Sequence, residues 1–122
     1  MIGSTRQVSI WAYGKPADMR RSFDGLFGLV SQELKRDPLS GDLFLFVGRD
    51  RRRAKVLYWD GTGLCVFAKR LEQGRFMAPW RQPSDRPLKL TVPELQLLLE
   101  GSDLVGKIPL SPPSFSLSGV TS

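Results

Sequence analysis

The densest group of side chains that could do chemistry in this chain is basic. Residues 49–89 hold eleven basic and four acidic side chains, a net charge of +7, whereas the whole chain carries +6. Arginine outnumbers lysine there, and its planar guanidinium suits phosphates and bases better than an ammonium does. Such a segment predicts contact with nucleic acid or with an acidic partner. The candidate nucleic-acid-binding residues are Arg49, Arg51, Arg52, Arg53, Lys55, Lys69, Arg70 and Arg75.

Four of these cations fall within one short connection between two apolar runs. We expect Arg49, Arg51, Arg52 and Arg53 to form one exposed positive loop, with Lys55, Lys69 and Arg70 beside it. The aromatic residues that interleave with the cations have two interpretations, as stacking platforms for unpaired bases or as ordinary core. These aromatic residues are Tyr58, Trp59, Phe76 and Trp80.

Other chemistries find little support. Histidine is absent and Cys65 is the single cysteine, which excludes histidine-based acid–base catalysis, Ser/His or Cys/His triads and a His/Cys zinc site. The carboxylates lack the converging pattern that a two-metal nuclease needs, and we interpret Asp18 as a helix cap and Asp42 and Asp60 as turn residues. Gly61 and Gly63 lie between two predicted strands, which favours a hairpin turn over a phosphate-binding loop. We therefore predict no catalytic residue, metal, cofactor or small-molecule substrate.

Length and composition indicate one globular unit. The chain has 122 residues, of which 41% are hydrophobic and 25% charged, close to the average for soluble domains. We predict a single domain over residues 1–101 and a disordered tail, rich in serine, proline and glycine, over residues 102–122. Since the sequence has one cysteine, no apolar run long enough to span a membrane and no apolar leader, we expect a cytoplasmic location.

Apolar periodicity predicts the elements that must position the basic residues. Side chains at three- and four-residue steps predict one long helix over residues 18–35. Apolar runs predict strands at 8–13, 43–47, 54–59 and 64–70, the last three as an antiparallel meander. Residues 77–89, with three prolines, suggest an irregular linker before a short helix that starts near Pro93 and is capped by Gly101. The expected fold is α+β, a small antiparallel sheet of about four strands packed by one long helix, with a short C-terminal helix.

The apolar side chains of the predicted long helix lie on one side of it and must pack against an apolar face of the sheet, which predicts the core. We expect the helix to bury three residues against three residues of the strands or their neighbours. These are Leu26, Phe27 and Val30 on the helix and Leu45, Leu57 and Val66 on the sheet.

Two blocks of the sequence carry a resemblance to a known family. They are DMR at 18–20 with FDGL at 23–26, and KVLYWDG at 55–61 with GLC at 63–65 and KRLE at 69–72. Together with LLLEG at 97–101, they resemble the small accessory protein TnpB of bacterial insertion sequences of the IS-sixty-six type, over residues 8–101. The resemblance implies a role in DNA transposition beside a larger transposase of the same element, which supplies the catalytic carboxylates. It implies no catalytic residue here, and the RNA-guided nucleases that share the name TnpB are unrelated.

The basic segment and the resemblance together favour one function. We expect a non-catalytic accessory factor of transposition that binds DNA, the transposase, or both, through a basic hairpin surface. The alternative is a purely protein-binding scaffold whose basic surface contacts an acidic region of the transposase. A metal-dependent nuclease is a third hypothesis.

Overall fold

A mixed five-stranded sheet with helices on both faces forms the fold. The computed structural model describes residues 7–81 and 88–101, and its strands lie in the order β4-β3-β2-β1-β5. The strands are β1 (Ile10–Ala12), β2 (Leu43–Val47), β3 (Arg53–Trp59), β4 (Leu64–Arg70) and β5 (Leu88–Leu90). The helices are α1 (Phe23–Gly28), a π-helical segment (Leu29–Glu33), a 3-10 turn (Pro79–Arg81) and α2 (Val92–Leu99).

The α+β class and the β2–β3–β4 meander confirm the sequence prediction, but the sheet is not purely antiparallel. Strand β1 runs parallel to β2, with Ile10 opposite Leu43, and α1 lies in the crossover between them. A fifth strand, β5, pairs antiparallel with β1 and places Leu90 opposite Ile10. Part of the predicted irregular linker is therefore strand, and its residues 82–87 lie outside the described part of the chain.

The predicted long helix is much shorter than residues 18–35. It starts only at Phe23, after an N-cap, Ser22, whose side chain accepts no capping hydrogen bond. Ala17 continues the parallel pairing, forming a bridge with Gly48 and donating its N–H to the Val47 carbonyl at 2.9 Å. A separate turn follows it, closed by the Arg21 N–H on the Asp18 carbonyl at 3.0 Å. Asp18, predicted to be the cap, instead accepts hydrogen bonds from Arg20.

The α-helix gives way to a π-helical turn after six residues. Its glycines at 25 and 28 supply little helix propensity, and the wider turn closes with the Leu34 N–H on the Leu29 carbonyl at 3.0 Å. At the end of this segment the Tyr13 hydroxyl donates to the Glu33 carboxylate at 2.7 Å. Burial and this hydrogen bond raise the pKa of Tyr13 to about 12. Tertiary contacts therefore hold a helix that its own sequence supports weakly.

One core lies between α1 and the sheet, on what we call the α1 face. Leu26 and Val30 are fully buried there, as predicted, against Leu57. The prediction named Leu45 or its strand neighbours, and the neighbours Phe44 and Phe46 lie in this core, with Val66 partly buried against it. Leu45 itself points to the opposite face, because side chains alternate along β2. Phe27 is half-buried rather than buried.

The second core lies on the other side of the sheet, which we call the α2 face. Leu45, Val47 and Val56 pack there with Leu98 of α2 and with the fully buried Phe76. The continuous apolar run of β2 predicted a strand covered on both faces, and the structure confirms it.

Helix α2 confirms the second predicted helix. Its N-cap Thr91 and Glu94 form a reciprocal capping box, Pro93 lies in the first turn, and Gly101 follows the end with φ +93°. Within residues 7–81 and 88–101, none of the helices is long and apolar enough to span a membrane. The predicted disordered tail, residues 102–122, lies outside the described residues.

Candidate nucleic-acid interface

The turn between β3 and β4 fixes the register of the β3–β4 hairpin, which neighbours the predicted basic loop. The Asp60 N–H donates to the Gly63 carbonyl at 3.0 Å, and the Asp60 carboxylate accepts the N–H groups of Thr62 and Gly63, both at 2.8 Å. These backbone donors lower the pKa of Asp60 to about 2. Gly61 adopts φ +106°, which favours glycine. The predicted hairpin turn is confirmed.

This register places two arginines directly opposite each other. Arg53 of β3 pairs with Arg70 of β4. The neighbouring pair is joined by the Leu71 N–H on the Arg52 carbonyl at 2.8 Å, so Arg53 and Arg70 form a pair without hydrogen bonds, in which side chains approach most closely. Like charges in such a position are unfavourable. The two guanidinium groups therefore concentrate positive charge at one end of the hairpin.

Both arginines have a carboxylate nearby, and the Arg70 Nε donates a long hydrogen bond to the Glu72 carboxylate. Arg53 lies 3.7 Å from Asp50, and Arg70 lies 3.4 Å from Glu72. All four side chains are about half exposed or more, and exposed ion pairs of this kind contribute little free energy. The cations consequently remain accessible to another anion.

Two open depressions meet at these residues on the α1 face. The first, of about 530 Å³, lies between residues 16–19 and the β2–β3 loop, and the second, of about 470 Å³, lies over the end of β3 and β4. They share Met19 and Arg53, and we call them together the α1-face groove. Its charged lining residues are Asp18, Arg49, Asp50, Arg53, Lys55, Lys69, Arg70 and Glu72.

Four of the eight predicted binding residues line this groove with their side chains on the α1 face or its rim. They are Arg49, Arg53, Lys55 and Arg70. Arg49 is exposed and lines the first depression together with Arg53. Lys55 follows Arg53 on the same face of β3, and its ammonium donates to the Arg21 carbonyl at 2.7 Å. That bond holds the segment before α1 against the groove.

The other four predicted residues serve the fold or lie apart. Arg51 is half-buried, has φ +61° and donates from Nε to the Phe76 carbonyl at 2.7 Å, so the expected exposed position is wrong for it. Lys69 also lines the groove, but its ammonium donates to the Leu99 carbonyl at the end of α2, at 2.7 Å. Arg52 is half-buried, and exposed Arg75 donates to the Asp50 carbonyl at 3.3 Å.

Sequence reasoning missed the residues that form the other wall of the groove. Pro16, Ala17 and Met19 line it, and next to them Arg20 pairs with Asp18 at 2.8 Å. Hydrogen bonds from Arg20 hold the pKa of Asp18 well below its usual range. These residues are remote in sequence from β3 and β4, and only the parallel bridge from Ala17 to Gly48 places them there. No local sequence signal predicts that contact.

The interleaved aromatic residues belong largely to the core. Phe76 is fully buried, and Tyr58 and Trp80 pack half-buried against the α2-face core. Trp59 is half-buried at the end of β3. The core interpretation therefore holds for Phe76, Tyr58 and Trp80.

The groups considered for catalysis are dispersed. Asp24 is exposed on α1, Asp60 is in its turn, and Asp42 is buried, accepting the Ser9 N–H at 3.1 Å. Cys65 is half-buried on β4, and burial raises the pKa of its thiol. Within the described ranges, no three His, Cys, Asp or Glu side chains come together as a metal site.

Comparison with known proteins identifies the family. The profile of the family described as IS66 Orf2 like protein matches residues 8–107. The chain belongs to this family, which is the family of the TnpB accessory protein. Membership associates the chain with an accessory role in the transposition of insertion sequences. No solved structure gives a significant match.

Two similar proteins come from Sinorhizobium fredii (strain NBRC 101917 / NGR234). Uncharacterized protein y4jC is 38% identical over 103 residues, which cover 84% of this chain and 86% of the relative. Uncharacterized protein y4hO is also 38% identical over 103 residues, covering 84% of this chain and 88% of the relative.

Proposed function

We propose that the chain is a non-catalytic accessory factor of transposition that binds DNA phosphates in the α1-face groove. It acts in the cytoplasm beside the transposase of its own element. The observation that carries this proposal is the direct opposition of Arg53 and Arg70 across the hairpin, on the floor of an open groove.

An anion between these two guanidinium groups would relieve their repulsion. The carboxylates of Asp50 and Glu72 are exposed to water, so they offset the charge only in part. A phosphate oxygen accepts from both guanidinium groups at once, since each presents several N–H donors in one plane. Arg49 extends the positive surface along the groove rim.

Contacts of this kind determine affinity and position rather than sequence. Phosphates are the same at every base step, so the groove binds DNA of any sequence alike. Each phosphate contact also releases counterions and contributes about 0.9 to the slope of log K against log salt.

The test is a salt titration of DNA binding with matched charge variants. The full chain is titrated onto two labelled duplexes, one from the end of the element and one unrelated. Replacing both Arg53 and Arg70 with alanine should weaken binding to both and flatten the salt slope by up to about 2.

The matched control removes the same charge at the opposite edge of the sheet. Arg36 and Lys89 lie over the Trp11 ring at 3.5 and 5.3 Å, and their double alanine variant should keep the affinity and slope of the wild type. An equal loss in both variants would mean that net charge, rather than the groove, drives binding.

The same variants distinguish DNA binding from the alternative of a purely protein-binding scaffold. If the wild-type chain binds neither duplex but retains its transposase in a pull-down, and the Arg53 and Arg70 variant loses it, then the groove binds protein instead. Mg²⁺-dependent nicking by the purified chain, abolished by Asp24→Asn or Asp60→Asn, would overturn the non-catalytic assignment.

A further inference from the structure

Strand β4 is an edge of the sheet formed by residues 7–81 and 88–101. Among these residues it pairs with β3 alone, along all seven of its positions. Because the Asp60 N–H bonds to the Gly63 carbonyl and the Leu71 N–H bonds to the Arg52 carbonyl, the odd-numbered residues between them share their backbone bonds with β3. The N–H and C=O groups of Leu64, Val66, Ala68 and Arg70 therefore point outward.

The devices that usually protect such an edge are weak in this strand. Its sequence, LCVFAKR, contains no proline and no glycine, and its two cations lie at one end. The ammonium of Lys69 is bonded to the end of α2, and Arg70 lies beside Glu72. The middle of the strand instead exposes 46% of Phe67. An edge with these properties is suited to pairing with another strand.

We propose that β4 pairs antiparallel with β4 of a second copy, with the two Phe67 residues opposite each other. This register is the one in which all four outward residues of each strand find a partner. Leu64 pairs with the second copy's Arg70, and Val66 pairs with its Ala68. The two phenylalanine rings meet in a pair without hydrogen bonds, where side chains approach most closely.

Pairing of the outward groups separates this register from its nearest neighbours, and charge opposes a larger slide. With the Phe67 residues at the centre, Lys69 faces the second copy's Cys65, and Arg70 faces its Leu64, so no cation opposes another. A relative slide of two residues places either Ala68 opposite Ala68 or Val66 opposite Val66, and one outward residue at the end of each strand then lies beyond the strand of the second copy. A slide of four residues toward the C-terminal ends places Lys69 directly opposite Lys69, which is unfavourable. All four outward residues are therefore paired in one register.

The resulting dimer has a continuous ten-stranded sheet. Its two-fold axis is perpendicular to the sheet, so the α1 faces of both copies lie on the same side. The two Arg70 residues are offset by six residues along the strands, about 20 Å at the usual rise of a strand. The pairing itself does not depend on whether the groove binds DNA.

The experiment measures the mass of the full chain by sedimentation equilibrium over a range of concentrations. The wild type should reach twice the 13.7 kDa of one chain. Phe67→Lys should remain at the single-chain mass, because it places two like charges across the axis. Phe23 is equally exposed, at 47%, but lies on α1, so Phe23→Lys is the matched control and should still dimerise. Circular dichroism checks that both variants fold.

Cross-linking tests the register. In a Cys65→Ala background, Phe67→Cys should form a dimer through a disulfide on oxidation with diamide, since Cα atoms in such a pair are about 4.5 Å apart, within the span of a disulfide. Ala68→Cys, which would face Val66 instead, should not. A wild type that stays at the single-chain mass, a Phe67→Lys variant that still dimerises, or cross-linking through position 68 rather than 67 would overturn the proposal.

Discussion

The two faces of the sheet use their basic residues in opposite ways. On the α2 face, Arg51 and Lys69 donate to the backbone carbonyls of Phe76 and Leu99, at 2.7 Å each. These bonds join the β2–β3 loop to the segment at Phe76 and strand β4 to the end of α2. On the α1 face, Arg49, Arg53 and Arg70 surround an open groove. Lys55 is intermediate, since it borders the groove and also bonds to the Arg21 carbonyl.

This difference shows that charge density in a sequence does not reveal what each cation does. All of these residues come from one basic segment, and alternation along β3 and β4 sends neighbours to opposite faces. Cations that reach a carbonyl at the end of an element stabilise the fold. Those directed to the α1 face remain available to a ligand. Substitutions on the two faces should therefore differ in their effect on stability.

The largest expected effect concerns the α1-face core. Phe46 is fully buried, so Phe46→Ala should lower the free energy of unfolding by about 3–5 kcal/mol. Phe27 is only half-buried, so Phe27→Ala should cost less than half as much. Urea unfolding followed by circular dichroism measures both. Equal losses would mean that α1 packs more deeply on the sheet than the structure shows.

A smaller loss of stability is expected at Arg51, which joins the β2–β3 loop to the segment at Phe76. Arg51→Ala should cost about 1.5–3 kcal/mol, because it removes a charged hydrogen bond to the Phe76 carbonyl. Arg53→Ala, in the groove, should change stability by less than about 0.5 kcal/mol. Since Arg51 has φ +61°, alanine carries the same left-handed backbone penalty as arginine, and Arg51→Ala therefore isolates the loss of the guanidinium. A fully stable Arg51→Ala variant would contradict the structural role.

The bond from Lys69 to α2 should contribute less. Lys69→Met keeps the aliphatic stem but removes the ammonium that donates to Leu99, and should cost about 0.5–1.5 kcal/mol. Hydrogen exchange should quicken mainly in the last turn of α2, where the carbonyl loses its partner. Faster exchange spread evenly over the whole sheet would instead indicate a general loss of packing.

The smallest effect is the pH dependence of the Asp60 turn. Because the folded-state pKa of Asp60 is lowered from 3.8 to about 2, its charge stabilises the fold above about pH 4, and this contribution disappears as the pH falls through 2. Asp60→Asn keeps the acceptor oxygen but removes the charge. The difference between wild-type and variant urea midpoints should be constant from pH 7 to 5 and should shrink between pH 4 and 2. A difference that does not change with pH would contradict this assignment.

Much of the local structure was predictable because it depends on neighbouring residues. The turn at Asp60, the apolar run of β2 and the start of α2 at Thr91 each carry their own signal: an aspartate that accepts backbone N–H groups, burial on both faces, and a capping box. The predicted helix over residues 18–35 was too long, because the apolar residues at helical spacing before Phe23 do not lie on a helix. Its N-terminal part is a separate turn, which follows the bridge from Ala17 to Gly48.

The sequence by itself determined the family, the α+β class, the β2–β3–β4 meander and the basic character of the hairpin, since each depends on residues close together in the chain. Tertiary structure decided the parallel pairing of β1 with β2, the addition of β5, and the division of the cations between two faces. Those features depend on contacts across the sheet, such as Ala17 with Gly48 and Lys69 with Leu99. Such pairings are chosen by the packing of the whole chain, because no local pattern encodes a partner 30 residues away.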